Sequence, residues 1–239
     1  MLKKVKKLTR SLFRMCGLDI RRISTTDHDH DWLNPYHIMT VLDIGANTGQ
    51  FAEIIHKILP SAAIVSFEPI EECYRSLIRN MASVPKFRAF NYALGEKDTN
   101  AEMYVNDYTA SSSLLQMEDL HKQAFPFTAN ARKEMVKIKQ LDGVARDLDL
   151  TDNLLIKIDV QGYEDRVIRG GQETVSRAKV VIIETSFQCL YIGQPMFEDI
   201  YDILKQIGFR YIGDLEQLRS PLDGSVLQAD SVFVKNLGN

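Results

Sequence analysis

Short apolar runs rich in β-branched residues alternate along this chain with amphipathic stretches, and that alternation constrains the fold more than any other feature. "TVLDIG" (40–45), "AIVSFEP" (63–69), "FRAFNYALG" (87–95), "NLLIKIDVQG" (153–162) and "AKVVIIET" (178–185) read as strands, with "FRYIGDL" and "SVFVKN" as closing strands. "GQFAEIIHKILP" (49–60) puts Phe51, Ile54, Ile55, Ile58 and Leu59 on one helical face, and Pro60 ends it. "IEECYRSLIRNMAS" (70–83), "YEDRVIRGG" (163–171) and "MFEDIYDILKQIG" (196–208) read as further helices. Strands that are apolar along their whole length need cover on both faces. The spacing therefore predicts a doubly wound, mostly parallel sheet with helices on both sides. A ligand of such a sheet sits at the carboxyl ends of its strands.

The alternation breaks once. "AEMYVN" (101–106) and "MVKIKQL" (135–141) read as extra strands, and between them lie "TASSSLL" (109–115) and a polar stretch to about Glu134. Insertions of that length in a compact domain are often functional lids. His121 in this insert is a second base candidate, although such a histidine more often faces solvent. Tyr108, Phe125 and Phe127 offer stacking surface for a ring substrate, and their plainer role is core.

The 239 residues suffice for one sizeable α/β domain. With no internal repeat, the expected division is a basic N-terminal helix and linker over 1–35 and one domain over 36–239. No apolar run approaches the ~20 residues of a membrane span, and the start lacks the apolar core of a secretory signal. Cys16, Cys73 and Cys189 have no metal-binding spacing, and their odd number argues against a disulfide framework, pointing to a reducing, cytoplasmic setting. Net charge is −3, unevenly spread: residues 1–22 carry eight Lys/Arg against Asp19, which leaves about −10 for the rest. An acidic body of that kind excludes a broad nucleic-acid face. Leu2, Val5, Leu8, Leu12, Phe13 and Met15 fall near helical spacing, so residues 1–22 fit an amphipathic helix suited to an anionic membrane surface. Packing on the domain is the plainer alternative. "TTDHDHDWLNP" (25–35) reads as a linker, in which His28 and His30 among acids are more simply solvated than metal-bound.

The first strand ends in Asp43-Ile44-Gly45-Ala46-Asn47-Thr48-Gly49. A dinucleotide loop would have a further glycine between the two, and a P-loop would end in Gly-Lys-Ser/Thr, where this chain has Gly49-Gln50-Phe51. An acid beside the loop repels pyrophosphate and suits a ligand bearing positive charge. S-adenosylmethionine offers a sulfonium, an amine and ribose hydroxyls. Gly45 and Gly49 let the backbone pass close beneath its methionine part. Glu68, at the end of the second strand, supplies a carboxylate for both ribose hydroxyls.

The series "VLDIGANTGQF", "SFEP", "NYALG", "SSSL", "LDG", "LLIKIDVQGYEDRVIRGG" and "VVIIET", spread over about residues 40–235, resembles the FkbM-like family of S-adenosylmethionine-dependent methyltransferases. "KIDVQGYE" following "DIGANTG" is its specific part. The resemblance implies a Rossmann-like class I methyltransferase fold with a seven-stranded sheet, and methylation of a hydroxyl on a sugar, glycan or other small natural product. It implies that Asp43, Gly45, Asn47 and Gly49 lie under the methionine part, that Glu68 holds the ribose, and that Asn91 to Leu94, Ala93 included, flank the adenine. Asn91 has an equally good reading as a backbone-bonded strand end. The family often has Glu where this chain has Gln161.

An alcohol is a poor nucleophile near neutral pH, so methyl transfer to it calls for a positioned base. Asp159, ending its strand, is the first candidate, as base or as ligand of a divalent cation such as Mg2+. Its other reading is orientation of the cofactor's amino group. Lys157, on the same strand face, pairs with Asp159 or tunes it. Glu164 and Glu184 are further carboxylates at strand and loop ends. Converging acids favour a metal, and a single acid favours plain base catalysis. Two competing readings are a nicotinamide-dependent oxidoreductase and a non-catalytic Rossmann-like interaction module. Against the oxidoreductase stand the missing glycine and the absence of a Tyr-x-x-x-Lys pair at Tyr163.

Overall fold

The computed structural model describes residues 28–235, so the expectations for residues 1–22 lie outside the described residues. The chain divides into two units, Met1–Asn34 and Pro35–Asn239. The expected irregular linker is instead a 3-10 helix over His28–Tyr36. The second unit runs through β1 (Thr40–Ile44), α1 (Gln50–Ile58), β2 (Ala63–Phe67), α2 (Glu71–Asn80), β3 (Phe87–Phe90), β4 (Ala93–Leu94) and β5 (Thr99–Asn106). It continues through α3 (Asp119–Ala124), β6 (Ala131–Lys139), α4 (Leu141–Ala145), β7 (Leu154–Ile158), α5 (Glu164–Gly170), α6 (Gln172–Arg177), β8 (Val180–Ser186), α7 (Phe197–Gln206), β9 (Phe209–Arg219) and β10 (Val226–Lys235).

The main sheet has seven strands in the order β3-β2-β1-β7-β8-β10-β9. The first five are parallel, and β10 runs antiparallel to both of its neighbours. As the apolar runs require, β1 and β7 are buried at every position. Val41, Leu42, Leu154, Leu155 and Ile156 are each fully buried. Helix α1 turns Ala52 and Ile55 inward. Truncating Ile55 to Ala would cost about 2–5 kcal/mol, the range for a buried isoleucine.

Two sequence expectations are corrected. "FRAFNYALG" is not one strand: Phe87–Phe90 pairs with β2, whereas Ala93–Leu94 leaves the sheet and pairs with β6. "AEMYVN" and "MVKIKQL" do not extend the main sheet either. They form, with β4, a separate three-stranded sheet in the order β4-β6-β5. Its antiparallel pair, Thr99↔Ile138 to Asn106↔Ala131, presents the insert 107–130 as its connecting arm. Gly95 N–H still bonds the Lys139 carbonyl, which ties the turn after β4 to the end of β6.

Register fixes where the site lies. Asp43 stands opposite Ser66 of β2 and Lys157 of β7, and the Asp159 N–H bonds the Ile44 carbonyl. The carboxyl ends of β1, β2 and β7 therefore finish level. Glu184 faces Asp230 across the antiparallel β8–β10 pair, which brings a C-terminal strand's side chains to the same rim. Among the described residues no helix is long and apolar enough to cross a membrane.

Candidate functional site at the carboxyl rim

The glycine loop is built from left-handed backbone. Gly45, Asn47 and Gly49 have φ of 84°, 47° and 101°, a region natural to glycine and tolerated by asparagine. The close approach matters as much as the angle. A Cβ on Gly45 would stand 1.8 Å from the carbonyl oxygen of Asp159, so this glycine is where the first loop touches the loop after β7. The Gly45 and Ala46 N–H groups both donate to the Phe67 carbonyl, anchoring the loop to β2.

Glu68 closes this half. Its Oε2 accepts from the Asn47 N–H and its Oε1 from the Ile70 N–H, each at 2.8 Å. One carboxylate thus fixes the glycine loop and the entry to α2 together. Burial raises its pKa to about 7, against the pull of those two N–H groups. Asp43 is equally buried and accepts from Ser66 Oγ at 3.2 Å. Burial raises its pKa to about 6, with Lys157 opposing. Two desolvated acids of raised proton affinity therefore flank a loop with no cationic side chain of its own. That donor set fits a cationic nucleoside, because each carboxylate keeps lone pairs free and gains from a nearby positive charge. It does not fit pyrophosphate.

Across the rim, Lys157 Nζ donates to Asp159 Oδ2 at 2.8 Å, with Asp230 Oδ1 at 3.8 Å. Burial works against the ammonium, but Asp159, Asp230 and Asp43 outweigh it and hold Lys157 above its usual range. Gln161 sits beside this pair in left-handed backbone, φ 53°, which costs about 1 kcal/mol for a non-glycine residue. Its Nε2 donates to Asp159 Oδ1 at 3.0 Å and to Glu184 Oε2 at 2.6 Å. Its Oε1 accepts from the Tyr191 hydroxyl at 2.8 Å. Gln228 Nε2 adds a second donor to Glu184 Oε2 at 2.7 Å. Burial, then Asp159 and Glu164, push the Glu184 pKa well up.

The insert lies over both halves. Thr109 Oγ1 donates to Asn47 Oδ1 at 3.1 Å, and Ser113 Oγ donates to the Gln161 carbonyl. The segment after β8 packs on the insert in turn: the Glu118 N–H bonds the Leu190 carbonyl, and the Ile192 N–H bonds that of Gln116.

The predicted residues separate accordingly. Asp43, Gly45, Asn47, Gly49, Glu68, Lys157 and Asp159 gather at this rim. Asn91 turns its amide onto the carbonyls of Glu68 and Pro69, supporting that turn. Ala93 is buried in β4, opposite Ile138. Glu164 serves the backbone, its Oε1 accepting from the Val160 and Gly162 N–H groups. The expectation for His121 as solvent-facing is corrected: it is buried edge-on to Tyr191 and Phe125. Burial lowers its pKa to about 4. Tyr108 and Phe127 are exposed and meet edge to face. Asp159, Glu164 and Glu184 each accept from N–H donors. Among the described residues no group of three His, Cys, Asp or Glu is arranged to hold a cation. Sequence reading missed Ser66, Tyr191, Gln228 and Asp230. Ser66 lies within "SFEP" but was given no role there, Tyr191 belongs to no local motif, and the β10 pair enters only through antiparallel register.

Known proteins resemble this chain in sequence and in build. The family described as "Methyltransferase FkbM domain" matches residues 43–211. The 2-O-methyltransferase NoeI of Sinorhizobium fredii is 29% identical over 171 residues, 69% of this chain and 70% of that protein. The methyltransferase sdnD of Sordaria araneosa is 29% identical over 184 residues, covering 67% and 71%. The crystal structure of an FkbM methyltransferase from Methylobacillus flagellatus superposes with a TM-score of 0.50 over 83% of this chain, at 12% identity. That match spans 44% of the larger protein and speaks to fold alone.

Proposed function

This chain is a methyltransferase of the FkbM family, and we propose that it transfers a methyl group from S-adenosylmethionine to a hydroxyl oxygen of a sugar, glycan or other small natural product. The observation that carries the reading is the pairing of two rims. Buried acids Asp43 and Glu68 flank the left-handed glycine loop, and the Lys157–Asp159 ion pair stands across from it. The 2-O-methyltransferase among its relatives supports oxygen as the atom methylated.

S-adenosylmethionine supplies an electrophilic methyl on a sulfonium. The residues do the rest. Gly45, Asn47 and Gly49 bring backbone close beneath the methionine part. Glu68 accepts from the ribose hydroxyls, and Asp43 offers negative charge to the ammonium end. Asn91, bonded to the Glu68 and Pro69 carbonyls, steadies the turn beside which the adenine lies. Asp159 meets the acceptor's hydroxyl as a hydrogen-bond acceptor and aligns its oxygen, while Lys157 holds that carboxylate in place. Residues 36–239 form the catalytic domain, and the reaction is placed in the cytoplasm.

Two measurements test it. Calorimetry with S-adenosylmethionine and, separately, NADPH is expected to give binding of the first and none of the second. The reverse selects an oxidoreductase, and binding of neither selects an interaction module. Methyl transfer is then scored on methyl glycosides of glucose, galactose, mannose and rhamnose. Asp159→Asn is expected to abolish turnover with cofactor affinity nearly intact. If affinity collapses too, Asp159 is a cofactor ligand instead.

A further inference from the structure

Two carboxylates face one amide at the ends of β7 and β8, and they are not equivalent. Asp159 has a donor on each oxygen, and one of these is the Lys157 ammonium. Glu184 has two donors on a single oxygen, Oε2, and both are neutral amides. Among the described residues no donor is seen on its Oε1, which leaves that oxygen's lone pairs for a further donor. The side chain is of intermediate exposure, on a strand otherwise buried.

We propose that Glu184 is a catalytic residue: it takes the proton from the acceptor's hydroxyl, while Asp159 orients that hydroxyl. The inference rests on the methyltransferase reading above and deepens it. As the hydroxyl oxygen forms its bond to the methyl carbon, the carbon–sulfur bond breaks with its electron pair left on sulfur. The O–H bond breaks with its pair left on oxygen, and the proton passes to Glu184 Oε1. The products are the methyl ether, S-adenosylhomocysteine and a protonated Glu184, so atoms and charge balance.

Chemistry separates the two carboxylates. The negative charge of Asp159 is matched by an ammonium at bonding distance; that of Glu184 is met only by dipoles. Every charged group that faces Glu184 is accounted for. Asp159 of the loop after β7, Glu164 of α5 and Asp230 of β10 favour its protonated form, Lys157 of β7 opposes, and burial leads them all. Tyr191, whose hydroxyl reaches Gln161 from the segment after β8, is neutral, its own ionisation suppressed by burial. A pair of acids with environments this different divides into an orienting group and a proton acceptor, and the acceptor works best when poised near the operating pH. Gln161 is the divider: its one amide nitrogen reaches both carboxylates, so neither approaches the other unshielded.

The experiment compares Glu184→Gln, Glu184→Asp and Asp159→Asn, each checked for unaltered thermal unfolding. Glu184→Gln is expected to lower kcat about 100- to 1,000-fold on whichever methyl glycoside is turned over. The acid limb of the kcat–pH profile should disappear, while S-adenosylmethionine affinity and acceptor KM stay within about threefold. Glu184→Asp should keep the acid limb at reduced rate. An acid limb that persists unchanged in Glu184→Gln overturns the proposal. An arm that needs no acceptor is carboxyl-carbon NMR on protein labelled at glutamate. The resonance missing from Glu184→Gln is expected to titrate well above the ordinary carboxylate range. If it titrates near the usual value of about 4.3, the proposal falls. Absence of S-adenosylmethionine binding in the wild type would instead overturn the methyltransferase reading itself.

Discussion

The two halves of the rim are made in different ways. The cofactor half is one contiguous loop plus one strand end: Asp43 to Gly49 and Glu68, joined by backbone N–H groups that bond the Phe67 carbonyl and the Glu68 carboxylate. The acceptor half draws Lys157 from β7, Asp159 and Gln161 from the loop after it, Glu184 from β8, Gln228 and Asp230 from β10, Tyr191 from the segment after β8 and Ser113 from the insert. It is held by side chains. A backbone-built half binds a ligand whose shape does not change across a family. A side-chain-built half is free to vary with the acceptor. If this contrast is right, damage to the first should remove binding, and damage to the second should remove turnover.

The largest effect is expected where the halves touch. Gly45→Ala places a methyl 1.8 Å from the Asp159 carbonyl oxygen at φ 84°. Steric displacement and left-handed strain together should cost about 3 kcal/mol of stability and remove cofactor binding. Gly143→Ala is the control. Its Cβ meets nothing within 4 Å, and in α4 it should be neutral or stabilising by about 0.5–1 kcal/mol. Urea denaturation of both variants decides the point.

Glu68→Gln tests the cofactor half without steric change. Losing the charge beneath the ribose should weaken S-adenosylmethionine about 10- to 100-fold, with residual turnover at saturating cofactor near wild type. A pH effect accompanies it. The folded Glu68 has its pKa raised to about 7 from 4.5, so between those values the native state binds more protons than the unfolded chain. Stability is therefore full below pH 4.5 and is lost as pH rises through about 7, on the order of 3 kcal/mol for this group. Glu68→Gln should flatten that decline. Cofactor affinity should run the other way, weakening below about pH 7 as the wild-type carboxylate takes up its proton.

The same contrast explains what was legible in the sequence. "VLDIGANTGQF" can be read because its chemistry is local: left-handed glycines, an acid, and a second acid at the next strand end. Lys157 and Asp159 are legible because they lie two apart where β7 runs into its exit loop. Gln228 and Asp230 are not, since only the β8–β10 register carries them to Glu184. The split of residues 87–95 between two sheets also escapes a strand count, because apolar character persists through Phe90, Tyr92 and Leu94 while the pairing partner changes from β2 to β6. His121 looks like any lid histidine until the fold buries it against Tyr191.

Tyr191→Phe probes the acceptor half at one remove. It keeps the ring packed on His121 and deletes the donor to Gln161 Oε1. Loss of about 1 kcal/mol of positioning should lower kcat roughly five- to tenfold and leave cofactor affinity unchanged. A fall in affinity of the same size would mean that the two halves are not separable.

The smallest expected effect asks how the halves communicate. Thr109 Oγ1 holds Asn47 of the cofactor loop, and four residues later Ser113 Oγ holds the Gln161 carbonyl of the acceptor loop, so one strap spans both. Thr109→Val deletes a half-exposed hydrogen bond and keeps the side-chain volume, which should cost about 1 kcal/mol or less. Stopped-flow binding should show S-adenosylmethionine leaving a few-fold faster. Acceptor KM is the sharper reading. If it is unchanged, the strap serves the cofactor half alone and the contrast stands as drawn. If it rises with the dissociation rate, the two ends of the strap are coupled. A double-mutant cycle with Ser113→Ala should then return an interaction energy above the roughly 0.5 kcal/mol that independent sites show.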